Sequence, residues 1–87
     1  MKLYITLYFD SIVAFQNSQQ KINKYCASAG KILETENPEE NENTAALYII
    51  KANAKFRNKT VSEIKQEINE FEIEDLYDTK IIFLDIK

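Results

Sequence analysis

Carboxylates are the groups in this sequence with the clearest capacity for chemistry. The 87 residues include no histidine and a single cysteine, Cys26. Histidine catalysis, histidine zinc sites and Cys-x-x-Cys motifs are therefore excluded. Gly30 is the only glycine, so a glycine-rich phosphate loop is excluded as well. Cys26 falls on the apolar side of a predicted helix, where we expect a small core residue rather than a nucleophile.

Asp10 is the best placed carboxylate, because it closes the stretch LYITLYFD of residues 3 to 10. Functional groups gather in loops at the ends of strands. Aspartate and serine are also favoured helix N-caps, and capping is the expected role of Asp10 or its neighbour Ser11. As the alternative, two copies of Asp10 across a dimer axis could hold Mg²⁺, which prefers carboxylate oxygen and water. Asp85 is a weaker second candidate.

Two helices and four strands are predicted to position these groups. Apolar residues at helical spacing indicate a helix over residues 12 to 29, with Gly30 as a left-handed terminator. Thr60 and Glu63 form a capping box that begins a second helix, which ends near Phe71. Residues 52 to 59 are predicted to be a polar connection. Strands are predicted over residues 3–10, 31–36, 44–51 and 79–86.

The order of these elements predicts an α+β fold of the ferredoxin-like β-α-β-β-α-β type. Such a fold is a four-stranded antiparallel sheet with two helices on one face, and its first and third strands are central. The short chain predicts one domain over residues 1–87. An alternative treats residues 31–36 as a loop, which leaves a three-stranded β-α-β-α-β sheet.

Alternation along the strands predicts which side chains face the helices. The odd residues of the first strand, from Leu3 to Phe9, are expected in the core. Five residues of the later strands are expected to join them, namely Leu47, Ile49, Ile82, Leu84 and Ile86. The helix-free face is then predicted to carry an apolar and aromatic patch of Tyr4, Tyr8, Tyr48, Ile50, Ile81 and Phe83.

Such a patch is too apolar for a surface that faces only water. Tyrosine suits protein interfaces because it offers a large contact area and a polar tip. The patch therefore predicts a homodimer by sheet-on-sheet packing, or a contact with another protein. A platform for stacking RNA bases is the competing interpretation, but the RNP1 pattern is missing and the net charge is −3.

Charge is unevenly distributed along the chain. Solvated surfaces are the expected explanation for each charged run. A basic rim is nevertheless the only electropositive candidate site. Residues 51 to 59 supply this basic rim, which consists of Lys51, Lys55, Arg57 and Lys59. Residues 34 to 42 supply an acidic loop, which contains Glu34, Glu36, Glu39, Glu40 and Glu42.

Localisation is predicted from two further features. The chain has no apolar run of 18 residues, so no membrane span is expected. It begins directly with a predicted strand rather than a secretory signal, and its one cysteine cannot form an internal disulfide. A cytoplasmic protein is therefore expected.

The stretch Y-I-T-L-Y-F-D at residues 4 to 10, in a short chain of this topology, resembles the small CRISPR-associated ribonuclease of spacer acquisition. It also resembles that enzyme's relatives, the virulence-associated ribonucleases and the antitoxin ribonucleases of type V toxin–antitoxin systems. The resemblance covers the whole chain as topology and residues 4 to 10 as sequence. It implies that Asp10 takes a catalytic or metal position, with Mg²⁺ as cofactor, and that dimers form through the open face of the sheet.

The expected function is binding, by a small cytoplasmic homodimer with a regulatory or defence-related role and no cofactor. Two alternatives stay open. One is a Mg²⁺-dependent endoribonuclease that uses Asp10. The other is an acidic inhibitor of the kind found in phages, which would occupy the nucleic-acid site of a host protein.

Overall fold

A computed structural model describes residues 1–38, 45–71 and 76–84 of the protein. Each of the predicted helices and strands is present within these ranges, and a short helix at residues 54–57 was not predicted. Residues 39–44, which include part of the acidic loop, lie outside the described residues, as do residues 72–75 and residues 85–87 with Asp85 and Ile86. The elements are β1 Lys2–Phe9, α1 Ile12–Ala29, β2 Gly30–Glu36, β3 Ala45–Ala52, α2 Ala54–Arg57, α3 Val61–Asn69 and β4 Leu76–Leu84.

The described strands form one four-stranded sheet in the order β2-β3-β1-β4. Every neighbouring pair is antiparallel, so the predicted α+β class with a four-stranded antiparallel sheet is confirmed. Because β2 pairs with β3 over its length, the three-stranded alternative is wrong. The central position of β1 gives it two partners, and its inward side chains form the middle of the core.

Helix α1 has the predicted bounds because its ends carry clear signals. Ser11 is the N-cap, and its hydroxyl accepts a hydrogen bond from the Ala14 backbone N–H at 3.2 Å. Phe15, Ile22 and Cys26 recur at helical spacing and are buried against the sheet. Ser11 rather than Asp10 therefore caps the helix, so capping does not explain Asp10.

Gly30 ends α1 in a different way from the predicted left-handed cap. Its φ of 157° and ψ of −160° lie in an extended region that is open essentially to glycine alone. The chain passes from helix to strand here without a turn, since Gly30 already pairs with Ala52. The Asn53 backbone N–H donates to the Ala29 carbonyl at 2.9 Å, which brings the two segments close together.

The connection between β3 and α3 is more ordered than predicted, because α2 lies within it. Asn53 caps α2 by accepting from the Phe56 backbone N–H at 3.0 Å. Phe56 is buried and meets the Tyr25 ring edge-on, with 5.6 Å between ring centroids. The predicted capping box then begins α3, with reciprocal Thr60 and Glu63 hydrogen bonds of 3.1 and 3.3 Å.

Strand β1 alternates as predicted. Leu3, Ile5, Leu7 and Phe9 are each at most 1% exposed and belong to the same core as both long helices. The residues between them, from Tyr4 to Tyr8, are half-buried on the other side of the sheet. Both long helices thus cover one face, and β1 presents its even-numbered side chains on the other.

The predicted faces of β3 are wrong, because the strand is inverted relative to the prediction. Leu3 pairs with Ile50 and Ile5 pairs with Tyr48, and directly paired residues point to the same face. Tyr48 and Ile50 are therefore core residues, 1% and 0% exposed. Leu47 and Ile49, which were predicted in the core, are half-buried on the helix-free face. Alternation along β3 did not distinguish the core face from the helix-free face, because both faces carry apolar residues.

The predicted faces of β4 are wrong for the same reason. Ile81 pairs with Ile5 and is buried, and Phe83 packs against the core. Ile82 and Leu84, predicted in the core, are 40% and 44% exposed. A strand with apolar residues at consecutive positions has no period-2 signal, so its pairing partner decides its orientation.

We expect Gly30→Ala to lower the free energy of unfolding by at least about 2 kcal/mol, because alanine is strained at this φ and ψ. An added Cβ would also collide with the Lys51 carbonyl oxygen and lie 3.0 Å from the Asn53 nitrogen. Urea unfolding measures the loss. Lys24→Ala, an exposed change in α1, is the control and should stay within about 0.5 kcal/mol of wild type. Equal stability of the two variants would contradict the tight helix-to-strand junction.

Tyr48→Phe should lower the free energy of unfolding by about 1 kcal/mol, because it removes a side-chain hydrogen bond inside the fold. The Tyr48 hydroxyl donates to the Asn23 Oδ1 at 2.8 Å. Burial raises the pKa of Tyr48 to about 12, with a smaller contribution from Cys26. A spectrophotometric tyrosine titration would detect a phenol that ionises late and disappears in the variant. Unchanged stability together with an unchanged titration would place Tyr48 outside the core.

Candidate interaction surface

The sheet face without helices is the candidate functional surface, and we call it the open face. The pairing register places its side chains in rows that run across the strands, since directly paired residues share a face. The open face is formed by Lys2, Tyr4, Thr6 and Tyr8 of β1, Ala45, Leu47, Ile49 and Lys51 of β3, Asp78, Lys80, Ile82 and Leu84 of β4, and Lys31, Glu34 and Glu36 of β2.

One row of the open face is apolar across three strands. Tyr4 pairs with Ile49 on one side and with Ile82 on the other. We call these three residues the apolar row. Leu47 and Leu84 lie in the flanking rows and extend its apolar surface diagonally. The open face therefore has an apolar centre, which was predicted as a patch but is composed largely of different residues.

Only Tyr4 and Tyr8 of the predicted patch lie on the open face. The other four, Tyr48, Ile50, Ile81 and Phe83, contribute to the core. The sequence signal for the true neighbours, Ile49 and Ile82, was their apolarity, but the same signal was shared by the residues on either side of them. Two tyrosines of β1 therefore remain from the prediction, and aliphatic side chains replace the rest.

Three lysines form a second row beside the apolar row. Lys51 pairs with Lys2 on β1 and with Lys31 on β2, so three like charges lie side by side on neighbouring strands. We call them the lysine row. Directly opposed residues have Cβ atoms about 5 Å apart, and like charges in such pairs are destabilising. This row had no signal in the sequence, because its members come from three separate segments.

Acidic groups lie toward the other end of the open face. Glu36 pairs with Leu47, two residues along β3 from Ile49, and Asp78 pairs with Tyr8. Glu34 pairs with Ile49 beside the apolar row. Lys80 pairs with Thr6 and is the one base at this end, so the lysine row and these carboxylates still give the open face a charge gradient along the strand direction. Glu39, Glu40 and Glu42 of the predicted acidic loop lie outside the described residues.

The predicted basic rim is not one site. Lys51 lies on the open face, whereas Lys55 and Arg57 are exposed on α2. Lys59 is ion-paired with Glu67 of α3, and its ammonium lies 4.6 Å from the centre of the Phe56 ring. Residues that are contiguous in sequence are thus distributed over a strand, a short helix and a structural ion pair.

Glu67 joins three elements of the helix layer. It accepts hydrogen bonds from the Tyr25 hydroxyl of α1, at 2.9 Å, and from Lys59, which follows α2. Burial opposes ionisation of Glu67, but these hydrogen bonds and the charges of Lys59 and Lys55 outweigh it and lower the pKa of the carboxyl. Burial, together with Glu67, raises the pKa of Tyr25. The network therefore stabilises the helix layer and leaves the open face untouched.

Asp10 is exposed directly after β1, at the junction with α1. Within the described ranges, no three carboxylate, thiol or imidazole groups come together as a metal site. Cys26 lies in the core as predicted, and burial raises the pKa of its thiol to about 12. The described helices include none that is long and apolar enough to cross a membrane.

No family model, no curated protein and no solved structure matches this chain. The open face is therefore interpreted from its own residues and their pairing.

Glu67→Gln should lower the free energy of unfolding by about 1 kcal/mol at pH 7, because it weakens two hydrogen bonds to a charged acceptor. A lowered pKa means that this stabilisation is complete above the unfolded-state value of about 4.3 and is lost as the pH falls through the folded-state value. The difference between wild type and variant should therefore shrink as the pH falls below about 4.

Urea unfolding of both proteins between pH 7 and pH 3 measures this difference. Glu70→Gln is the matched control, because Glu70 is an exposed carboxylate at the end of the same helix. The control should follow wild type at every pH. A difference for Glu67→Gln that stays constant down to pH 3 would contradict the stabilising role of its ionised form.

Proposed function

We propose that the protein is a small cytoplasmic interaction module of the ferredoxin-like type that acts by binding, as a homodimer through its open face, in a regulatory or defence-related role. Support for the fold type comes from the two central strands β1 and β3 and from the position of both long helices on one face. Support for binding comes from the composition of the other face.

The apolar row is the observation that carries the proposal. Ile82 is 40% exposed and Leu84 is 44% exposed, beside half-buried Tyr4 and Ile49. Scattered apolar residues are normal on a protein surface, but a contiguous row across three strands is a feature of contact surfaces. Val13 on α1, 57% exposed, is by contrast a single apolar residue on a helix.

Covering this row supplies the free energy of association. Removing apolar surface from water contributes about 25 cal/mol per Å², and a fully buried isoleucine contributes about 2 kcal/mol. In a symmetric dimer every such residue is buried twice. Tyr4 adds a rigid ring with few rotamers, which loses little entropy on binding. A sheet-on-sheet contact of this kind needs no change in the fold of either copy.

Ile82→Ser and Leu84→Ser should each weaken the dimer by at least about tenfold, because each removes apolar contact area from both copies. Sedimentation velocity over a range of concentrations measures the dissociation constant, and circular dichroism checks the fold. Val13→Ser is the matched control, since it replaces an even more exposed apolar residue outside the open face. It should leave the dissociation constant unchanged.

A wild-type protein that stays monomeric at millimolar concentration would contradict the proposal. Single-stranded RNA is the competing occupant of the open face, because the lysine row lies beside Tyr4 and both features suit a stacked, charged strand. Fluorescence anisotropy with a labelled 12-nucleotide oligouridylate tests it. Tight binding by a monomer, lost in Tyr4→Ala, would replace the protein interface by an RNA interface.

A further inference from the structure

We infer that two copies of this chain stack open face to open face about a two-fold axis that runs across the strands through the apolar row, with Lys31 of each copy over Glu36 of the other. This inference rests on the proposed homodimer and adds its orientation. The observations that carry it are the lysine row at one end of the open face and the acidic residues toward the other end.

Symmetry leaves two simple ways to stack the open face on itself. A two-fold axis between the sheets can run along the strands or across them. An axis along the strands places equivalent rows on each other, whereas an axis across the strands reverses the order of the rows. Aligned sheets pack with a twist of about 30°, so either arrangement keeps these rows in approximate contact.

An axis along the strands brings lysines together. If it follows β1, Lys2 lies against the partner's Lys2. If it lies between β1 and β3, Lys2 lies against the partner's Lys51, and this contact occurs twice by symmetry. Like charges that face each other at an interface weaken it, and partial desolvation makes their repulsion stronger. The lysine row therefore disfavours both of these axes, and an axis between β1 and β4 would leave Ile49 of β3 uncovered beyond the partner's edge strand.

An axis across the strands at the apolar row removes the contacts between lysines. Its one like-charged contact is Glu34 over the partner's Glu34, which lies on the exposed edge strand β2, where solvent screens the repulsion. Tyr4, Ile49 and Ile82 then lie on their own counterparts, which buries the apolar centre. The lysine row of one copy then lies over the partner's row on the far side of the apolar row, two residues beyond it along the strands. Lys31 therefore meets the partner's Glu36.

The other two members of the lysine row meet neutral side chains in this arrangement. Lys51 lies over the partner's Leu47, and Lys2 lies over the partner's Thr6. Their aliphatic stems can cover these residues while the ammonium groups reach solvent. The lysine row, which is destabilising within one copy, thereby determines how the two copies are oriented in the dimer.

Charge reversal tests the pairing of Lys31 with Glu36. Lys31→Glu and Glu36→Lys should each weaken the dimer by roughly three- to tenfold, because each creates two like-charged contacts. The double variant restores opposite charges and should return to within about twofold of wild type. The single variants shift the net charge in opposite directions, so an effect of overall charge would strengthen one dimer and weaken the other.

A distance measurement tests the axis without relying on charge. Asp78 is exposed and lies four residues along β4 from Ile82, and the only native cysteine is buried, so Asp78→Cys accepts a single spin label. With an axis across the strands, the two labels should be roughly 29 Å apart, given about 3.4 Å per residue and sheets about 10 Å apart. With an axis along β1 they should be roughly 14 Å apart.

Sedimentation separates failure of the orientation from failure of the dimer. A dimer with restored affinity in the double variant and the longer label distance supports the inference. A dimer with the shorter distance, or without restoration, overturns the orientation and leaves the homodimer standing. A monomer under all conditions overturns both. Lys24→Glu, an exposed reversal on α1, should leave dimerisation unchanged and serves as the control.

Discussion

The register of β1 between β3 and β4 is the constraint on which the rest of the structure depends. Pairing Leu3 with Ile50 and Ile5 with both Tyr48 and Ile81 assigns every side chain of the central strands to one of two faces. A shift of one residue would bury the lysines and expose the core. The two long helices then have one face to cover, and the composition of the other face follows.

The parts of the fold that were predictable carry unambiguous local signals. Strand β1 alternates polar and apolar residues, and α3 begins with a capping box. Strands β3 and β4 lack such alternation, because apolar residues follow one another. Tyr48 was predicted on the open face because its neighbours Leu47 and Ile49 were assigned to the core. Its hydroxyl is satisfied by Asn23 of α1, a contact between distant residues that no local pattern reports. Face assignment there needed tertiary information.

The candidate site illustrates the same limit at the level of charge. The predicted basic rim is contiguous in sequence, yet Lys59 is engaged by Glu67 and only Lys51 lies on the open face. The lysine row brings Lys2, Lys31 and Lys51 together from three strands. Proximity in sequence therefore predicted a basic rim whose residues are spread over the fold, and it gave no sign of the lysine row. The pairing of strands decides which charges are neighbours.

The distribution of charge also bears on why we propose the open face as the surface of association. The chain carries a net charge of −3, whereas the open face carries Lys2, Lys31, Lys51 and Lys80 against Glu34, Glu36 and Asp78. The rest of the molecule is thus more acidic than the chain as a whole. Two copies that approach through other surfaces repel each other, while two open faces present both signs of charge around an apolar centre. Electrostatics and apolar burial therefore favour the same contact.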